Sequence, residues 1–107
     1  MTTLTRKEEQ VLLAINQLGD DAYLITIREQ IKEYTGKYYS VGTIYAPLNR
    51  MAVNGYIEAF QDRKRIFNSK KPITFYRLTD KGRLALLELQ QLHNRMWHGY
   101  ENLAEEK

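Results

Sequence analysis

Cysteine is absent from the 107-residue sequence, which excludes both a disulfide framework and a thiolate metal site. No stretch approaches the roughly 18 consecutive apolar residues that a membrane-spanning helix needs. The first ten residues, MTTLTRKEEQ, lack the apolar run of a signal peptide. We therefore expect a cytoplasmic protein without a membrane role. The length predicts one domain with a modest core, which dimerisation would supplement.

Signatures of catalysis are also missing. His93 and His98 are five residues apart, whereas two metal ligands on one helix face need a spacing of three or four. The sequence has no HExxH motif, no glycine-rich phosphate loop and no local serine–histidine signature. Glu8 and Glu9 are adjacent, so on a helix their carboxylates diverge. We predict a protein that is not an enzyme and that uses no metal or cofactor.

The charges of the chain are unevenly distributed. Its net charge is +3, but residues 61–83 contain eight cations and two anions, so this stretch carries +6 and the remainder −3. Such a run is often only a solvated surface, although it also suits contact with phosphates. The whole chain also contains eight tyrosines, and tyrosine is a residue that favours interfaces.

Capping residues and apolar spacing predict two helices in the first third of the chain. Thr5 and Glu8 form a capping box, apolar residues follow at helical spacing, and Gly19 ends the first helix. The segment AYLI, residues 22–25, is long enough only for one strand of a small sheet. Thr26 then caps a second helix, which ends at Thr35-Gly36.

A third helix is predicted over residues 40–54, between the Ser40 cap and the stop signal Asn54-Gly55. Its expected buried stripe contains Val41, Ile44, Leu48, Met51 and Ala52. The same helix carries two poor helix formers, Gly42 and Pro47. Gly42 would let another molecule approach the backbone, whereas Pro47 predicts a kink or a widened turn.

The remaining residues predict a hairpin and a long last helix. Strands at 56–60 and 73–78 flank a basic loop at 61–73. Thr79 or Asp80 caps the last helix, in which Leu84 and Leu87 are expected to face inward. Other apolar residues of this helix have the spacing of a coiled-coil seam: Ala85, Leu89, Leu92, Met96, Gly99 and Leu103.

This order of elements predicts a mainly α fold with a small β-hairpin. Three helices followed by a hairpin form a winged helix-turn-helix domain, assigned to residues 1–79, whose third helix enters the DNA major groove. The hairpin tip is the wing. Residues 80–107 are expected to form a C-terminal dimerisation helix and a frayed tail.

Four short motifs of the sequence resemble the PadR family of bacterial transcriptional regulators. They are GTIY at 42–45, LNRM at 48–51, NGYI at 54–57 and FYRLTDKG at 75–82. The resemblance extends from about Thr5 to Trp97 and implies a winged helix with a helix that dimerises, as in small members without a large C-terminal domain. The wing departs from the family, because RKRIFNSKKP replaces the usual Gly-Gly-Arg turn.

The candidate DNA-contacting residues form two groups. Those on the third helix and its approach offer hydroxyl, amide or guanidinium groups or an open backbone: Tyr38, Tyr39, Ser40, Gly42, Thr43, Tyr45, Asn49 and Arg50. Those in the wing are cations suited to phosphates or the minor groove: Arg63, Lys64, Arg65, Lys70 and Lys71. The alternatives are an ordinary polar helix face, internal pairing of Asn49 and Arg50, and a charged loop that prevents aggregation.

The last helix is expected to supply the dimer interface. The predicted seam residues are Leu89, Leu92, Met96 and Leu103, although they could instead complete the monomer core. Multidrug-responsive members of the family stack planar ligands on a tryptophan of this helix, so the resemblance implies a planar hydrophobic effector at Trp97. The alternative for Trp97 is a packing role within the dimer.

The predicted function is that of a sequence-specific transcriptional repressor. As a homodimer it would bind a pseudo-palindromic site on double-stranded DNA, and a small molecule or another signal would release it. The alternative is a winged helix that serves as a protein-interaction or assembly module without a DNA role, since a fold does not fix a function.

Overall fold

The computed structural model describes residues 4–61 and 73–98. This part of the chain contains α1 (Arg6–Leu18), a short 3₁₀ turn, α2 (Leu24–Thr35), α3 (Val41–Val53), β1 (Ile57–Gln61), β2 (Thr74–Leu78) and α4 (Asp80–Met96). The two strands form an antiparallel hairpin, with Ile57 opposite Leu78 and Gln61 opposite Thr74. The predicted winged-helix fold class, mainly α with a small hairpin and a C-terminal helix, is thereby confirmed. None of the described helices is long and apolar enough to cross a membrane.

Side-chain caps begin three of the helices at the residues expected. At α1, the Thr5 hydroxyl accepts a hydrogen bond from the Glu8 amide at 3.1 Å, and the Glu8 carboxylate accepts one from the Thr5 amide at 2.8 Å. Ser40 caps α3 and Thr79 caps α4 through their hydroxyl groups. Each cap satisfies an amide that has no partner inside its helix, so local sequence determines where these helices start.

The start of α2 differs from the prediction. The helix begins at Leu24, and Thr26 holds it from the third helical position, where its hydroxyl accepts a hydrogen bond from the Tyr23 amide at 3.0 Å. The expected strand at residues 22–25 is therefore wrong. In place of a strand, the described residues show an isolated bridge between Tyr23 and Phe75, because Leu24 and Ile25 already belong to the helix.

The hydrophobic core lies between the first three helices and the inner face of the hairpin. Its fully buried side chains include Val11, Leu12, Ile27, Ile31, Ile44, Leu48, Met51 and Phe75. Two positions of α3 differ from the expected stripe, since Val41 is exposed and Pro47 is buried. Pro47 follows Ile44 by three residues and precedes Met51 by four, so its ring lies on their face. The helix runs through Pro47 without interruption.

A close backbone contact fixes the start of α4 against the hairpin. A Cβ atom on Gly82 would lie 2.2 Å from the carbonyl oxygen of Tyr56. The same oxygen accepts a hydrogen bond from the Thr79 amide at 3.1 Å. Only glycine therefore fits at residue 82 while α4 and the Tyr56 backbone, directly before β1, keep this separation.

We expect Gly82→Ala to lower the free energy of unfolding by about 2–3 kcal/mol, because the backbone of α4 or β1 must shift. Urea denaturation followed by circular dichroism measures the change. Gly42→Ala is the matched control, since a Cβ atom there meets nothing within 4 Å. That variant should be neutral or more stable by up to about 1 kcal/mol. Equal stability of the two variants would contradict the close contact.

The C-terminal half of α4 is poorly covered by the rest of the described chain. Gly82 and Ala85 are buried, Leu86 and Leu89 are half-buried, and Leu92 and Met96 are exposed. The expectation that Leu84 and Leu87 face inward is wrong, because both are exposed. The face that contains Gly82, Ala85 and Leu89 turns toward the domain. Leu84 is therefore directed away from it, and Leu87 lies at the open edge of the cleft between α1 and α4.

Candidate nucleic-acid interface

The outer face of α3 is built from small residues and one amide. Because Ile44, Pro47, Leu48 and Met51 turn inward, the opposite face exposes Gly42, Ala46, Asn49 and Val53. Val53 is 79% exposed. Sequence reasoning missed Ala46 and Val53, since neither has a polar group. Their helical spacing places them on the same face as Gly42 and Asn49, and this spacing could have identified them from the sequence. Apolar side chains of this kind can contact thymine methyl groups.

The N-terminal end of α3 has its hydroxyl groups committed to the cap. The hydroxyls of Ser40 and Thr43 lie 2.8 Å apart, and Ser40 also accepts a hydrogen bond from the Thr43 amide at 3.2 Å. The free amides of the first turn and the helix dipole give this end a partial positive charge. The Gly42 side of the turn is open, so a phosphate could approach the backbone there.

A cationic cluster, defined as Lys7, Arg28, Lys32 and Lys37, surrounds the two tyrosines that precede α3. Lys7 Nζ lies 3.3 Å and Lys37 Nζ 5.0 Å from the centre of the Tyr39 ring. The Arg28 guanidinium carbon lies 4.3 Å and Lys32 Nζ 5.6 Å from the centre of the Tyr38 ring. These contacts are within the range of cation–π attraction, so the two rings hold the cations beside the start of α3.

The charge of this cluster is not neutralised locally. In residues 4–61 and 73–98, none of the four cations forms an ion pair with a carboxylate. Arg28 donates a hydrogen bond to the Tyr39 carbonyl, and Lys7 donates one to Gln10. Sequence reasoning missed the cluster because its members are spread over α1, α2 and the following turn. The four-residue spacing of Arg28 and Lys32 was the only local signal.

The later candidate residues of α3 have different surroundings. Arg50 Nε lies 3.5 Å from the carboxylate of Glu8, which is largely buried, so Arg50 has a partner within the protein. Tyr45 and Asn49 are exposed, and both lie at the edge of the outer face that is nearest to the hairpin. With Tyr76 they line a cleft between α3 and the sheet, which we call the α3–sheet cleft.

Two sets of predicted site residues lie outside the described part of the chain. They are the wing cations Arg63, Lys64, Arg65, Lys70 and Lys71, and Leu103 of the predicted dimer seam. Among the residues that are described, no group of three histidine or acidic side chains could hold a metal ion.

The other predicted seam residues lie along the uncovered half of α4. Leu89 is half-buried, whereas Leu92, Met96 and the neighbouring Trp97 are exposed. Three residues before the C-terminal end of α4, His93 Nε2 lies 2.8 Å from the Glu9 carboxylate and so links α4 to α1. A separate cleft of about 510 Å³ between α1 and α4 is lined on its apolar side by leucines, Leu87 among them.

Comparisons with known proteins agree with this architecture. Residues 11–88 match the family described as "Transcriptional regulator PadR-like family". A PadR-like transcriptional regulator from Bacillus cereus strain ATCC 14579 is 24% identical with a TM-score of 0.73, covering 94% of this chain and 92% of that one. A PadR-like transcription factor from Bacteroides fragilis is 23% identical with a TM-score of 0.73, covering 92% of each chain.

A PadR family transcription regulator from Clostridium difficile R20291 is 21% identical with a TM-score of 0.72, covering 92% of this chain and 97% of that one. Identities at this level demonstrate a shared fold alone. No curated protein matches the sequence closely enough to count as a relative.

Proposed function

The chain belongs to the PadR-like family of transcriptional regulators, and from that premise we propose that it is a sequence-specific, DNA-binding repressor that acts as a homodimer. The observation that carries the proposal is the cationic cluster beside the N-terminal end of α3. Its four cations are ordered by two tyrosine rings and have no carboxylate partner in the described residues. A surface used only for protein assembly has no need of several neighbouring cations that lack carboxylate partners among the described residues.

The cationic cluster would bind the phosphates that flank the major groove. Phosphate contacts set the position and orientation of a DNA-binding helix, because they do not depend on base sequence. The open backbone at Gly42 would add a contact at the positive end of α3. The wing cations, Arg63, Lys64, Arg65, Lys70 and Lys71, are assigned to phosphates on the basis of charge alone.

The outer face of α3 would read the bases. Asn49 carries the amide that pairs with the edge of adenine, and Ala46 and Val53 can contact thymine methyl groups. Thr43 and Tyr45 lie at the two margins of this face. Arg50 would contribute only after leaving Glu8, so we assign it to the support of α3 against α1.

The homodimer would form through the uncovered half of α4. Leu89, Leu92 and Met96 have coiled-coil spacing, and burying them against a second copy would remove exposed apolar surface from water. A two-fold axis at this helix would place the two α3 helices about one DNA turn, roughly 34 Å, apart. A planar effector on Trp97 would alter the pairing of α4 and hence this spacing, which would release the DNA.

A DNA titration against salt tests this proposal. Binding of the full chain to random fragments and to upstream promoter fragments is measured by fluorescence anisotropy at several salt concentrations. We expect a steep fall of affinity with salt, by about 0.9 log units of affinity per log unit of salt for each phosphate contact, and preference for one fragment. Absent or salt-independent binding to every fragment would overturn the proposal in favour of an assembly module.

Gly42→Ala should weaken operator binding by about tenfold, which corresponds to about 1.4 kcal/mol. The added methyl group would stand on the outer face of α3, between the helix and the groove wall. Folding should be unimpaired, since the new Cβ atom meets no protein atom within 4 Å. Affinity and unfolding free energy are measured on the same preparation. Unchanged DNA affinity in a stably folded variant would remove Gly42 from the interface.

A further inference from the structure

The α3–sheet cleft has the size of a small-molecule site. Its volume is about 450 Å³, and pockets for small ligands typically span about 300–1,000 Å³. The first turn of α2 supplies Leu24 and Ile25 to its walls, and β1 supplies Ala59. The small alanine leaves space that a larger side chain would fill. None of the described residues that line the cleft is charged.

Tyr23, which bridges to Phe75, and four further polar side chains line this cleft: Tyr45, Asn49, Thr74 and Tyr76. These four make no side-chain hydrogen bond to the described residues. Burial raises the pKa of Tyr76 above its ordinary value of 10.0, and the neighbouring Tyr45 adds to this effect. A tyrosine hydroxyl is protonated near neutral pH even without this shift, so the Tyr76 hydroxyl can donate a hydrogen bond to a ligand.

The lining defines the chemistry of the molecule it would accept. Apolar walls that hold no charged group among the described residues disfavour an ionised ligand, because a buried charge without a partner is costly. Tyrosine rings offer faces for stacking, which favours a flat ring system. The hydroxyl and amide groups that line the cleft favour donors and acceptors along the ligand edge. We propose that the α3–sheet cleft binds an uncharged, bicyclic heteroaromatic molecule and that this molecule competes directly with DNA.

The competition follows from shared residues. Tyr45 and Asn49 line the cleft and also belong to the proposed DNA-reading surface of α3, so one occupant excludes the other. This part of the inference rests on the proposed DNA-binding function, whereas ligand binding itself does not. The site is distinct from the effector position at Trp97, which lies beyond the end of α4.

The test uses three neutral bicyclic probes: 2-quinolone, coumarin and quinazolin-4-one. Binding to the full chain is measured by calorimetry, and the tyrosine ring signals are followed by NMR. At least one probe should bind with saturation and shift the signals of Tyr45 and Tyr76. Naphthalene, which lacks polar edges, and quinoline-2-carboxylate, which is charged, should bind at least about tenfold more weakly.

Three variants locate the site. Tyr76→Phe removes one hydroxyl and should weaken probe binding by about tenfold. Ala59→Leu fills the cleft and should abolish binding. Tyr34→Phe is the matched control, because it removes a tyrosine hydroxyl elsewhere, one that hydrogen-bonds to Gln17, and should leave probe affinity unchanged. Thermal unfolding of each variant verifies that it is folded.

The outcomes separate this inference from the function on which it rests. Absence of saturable binding by every probe, or equal affinity in wild type and a folded Ala59→Leu variant, would overturn the cleft site. Probe binding that leaves DNA affinity unchanged would overturn the competition. If the protein binds no DNA, the proposed function fails while the calorimetric result still decides whether the cleft is a ligand site.

Discussion

The double variant Lys32→Gln/Lys37→Gln should lose operator affinity on the order of a thousandfold near 0.1 M salt. Both residues belong to the cationic cluster and both are exposed, so their replacement should leave the core intact. In a homodimer the two substitutions remove four phosphate contacts. Since each contact contributes about 0.9 to the slope of log affinity against log salt, the slope should become shallower by about 3.6.

The matched control is Arg83→Gln/Arg95→Gln, which removes the same number of positive charges from exposed positions on α4. It should change affinity only slightly, because general attraction between exposed charges and DNA is screened beyond about 10 Å at this salt concentration. Affinity is measured for both variants on operator and random DNA. The cluster variant should weaken both fragments alike, since phosphates carry no sequence information. Equal losses in the two variants would show that only net charge matters.

Helix starts could be predicted from sequence where the signal is local. The capping hydroxyls of Thr5, Ser40 and Thr79 act on amides within three residues, so neighbouring residues define them. Thr26 was predicted to precede the second helix, but it lies inside the first turn. From there its hydroxyl accepts a hydrogen bond from the Tyr23 amide. This hydrogen bond between the Tyr23 amide and the Thr26 hydroxyl is compatible with the helix start at Leu24.

The candidate site was harder to predict because its parts meet only in the folded chain. The cationic cluster joins residues from α1, α2 and a turn, and Arg50 meets Glu8 across a separation of more than forty residues. Sequence motifs marked the exposed polar residues of α3 but assigned no partner to them. They also could not place Leu84 and Leu87, since several faces of α4 are apolar and the docking of Gly82 on Tyr56 selects the inner one.

The contact between Gly82 and Tyr56 also determines which face of α4 is available to a second copy of the chain. The variant Met96→Glu tests whether that face forms the dimer interface. Met96 is 65% exposed in the monomer. If it lies in the seam with Leu89 and Leu92, the glutamate would place an unpaired charge in an apolar interface. The variant should be monomeric by analytical ultracentrifugation. Its operator affinity should fall at least about a hundredfold, because the two domains no longer bind as one molecule.

Leu84→Glu is the control on the same helix, since Leu84 is 60% exposed, close to the value for Met96. It should remain dimeric and bind the operator normally. A dimer that survives Met96→Glu and dissociates with Leu84→Glu would move the interface to the other side of α4. If Met96→Glu is monomeric and still binds the operator as tightly as wild type, DNA recognition does not require the dimer. Spacing of the two α3 helices by α4 would then play no part in binding.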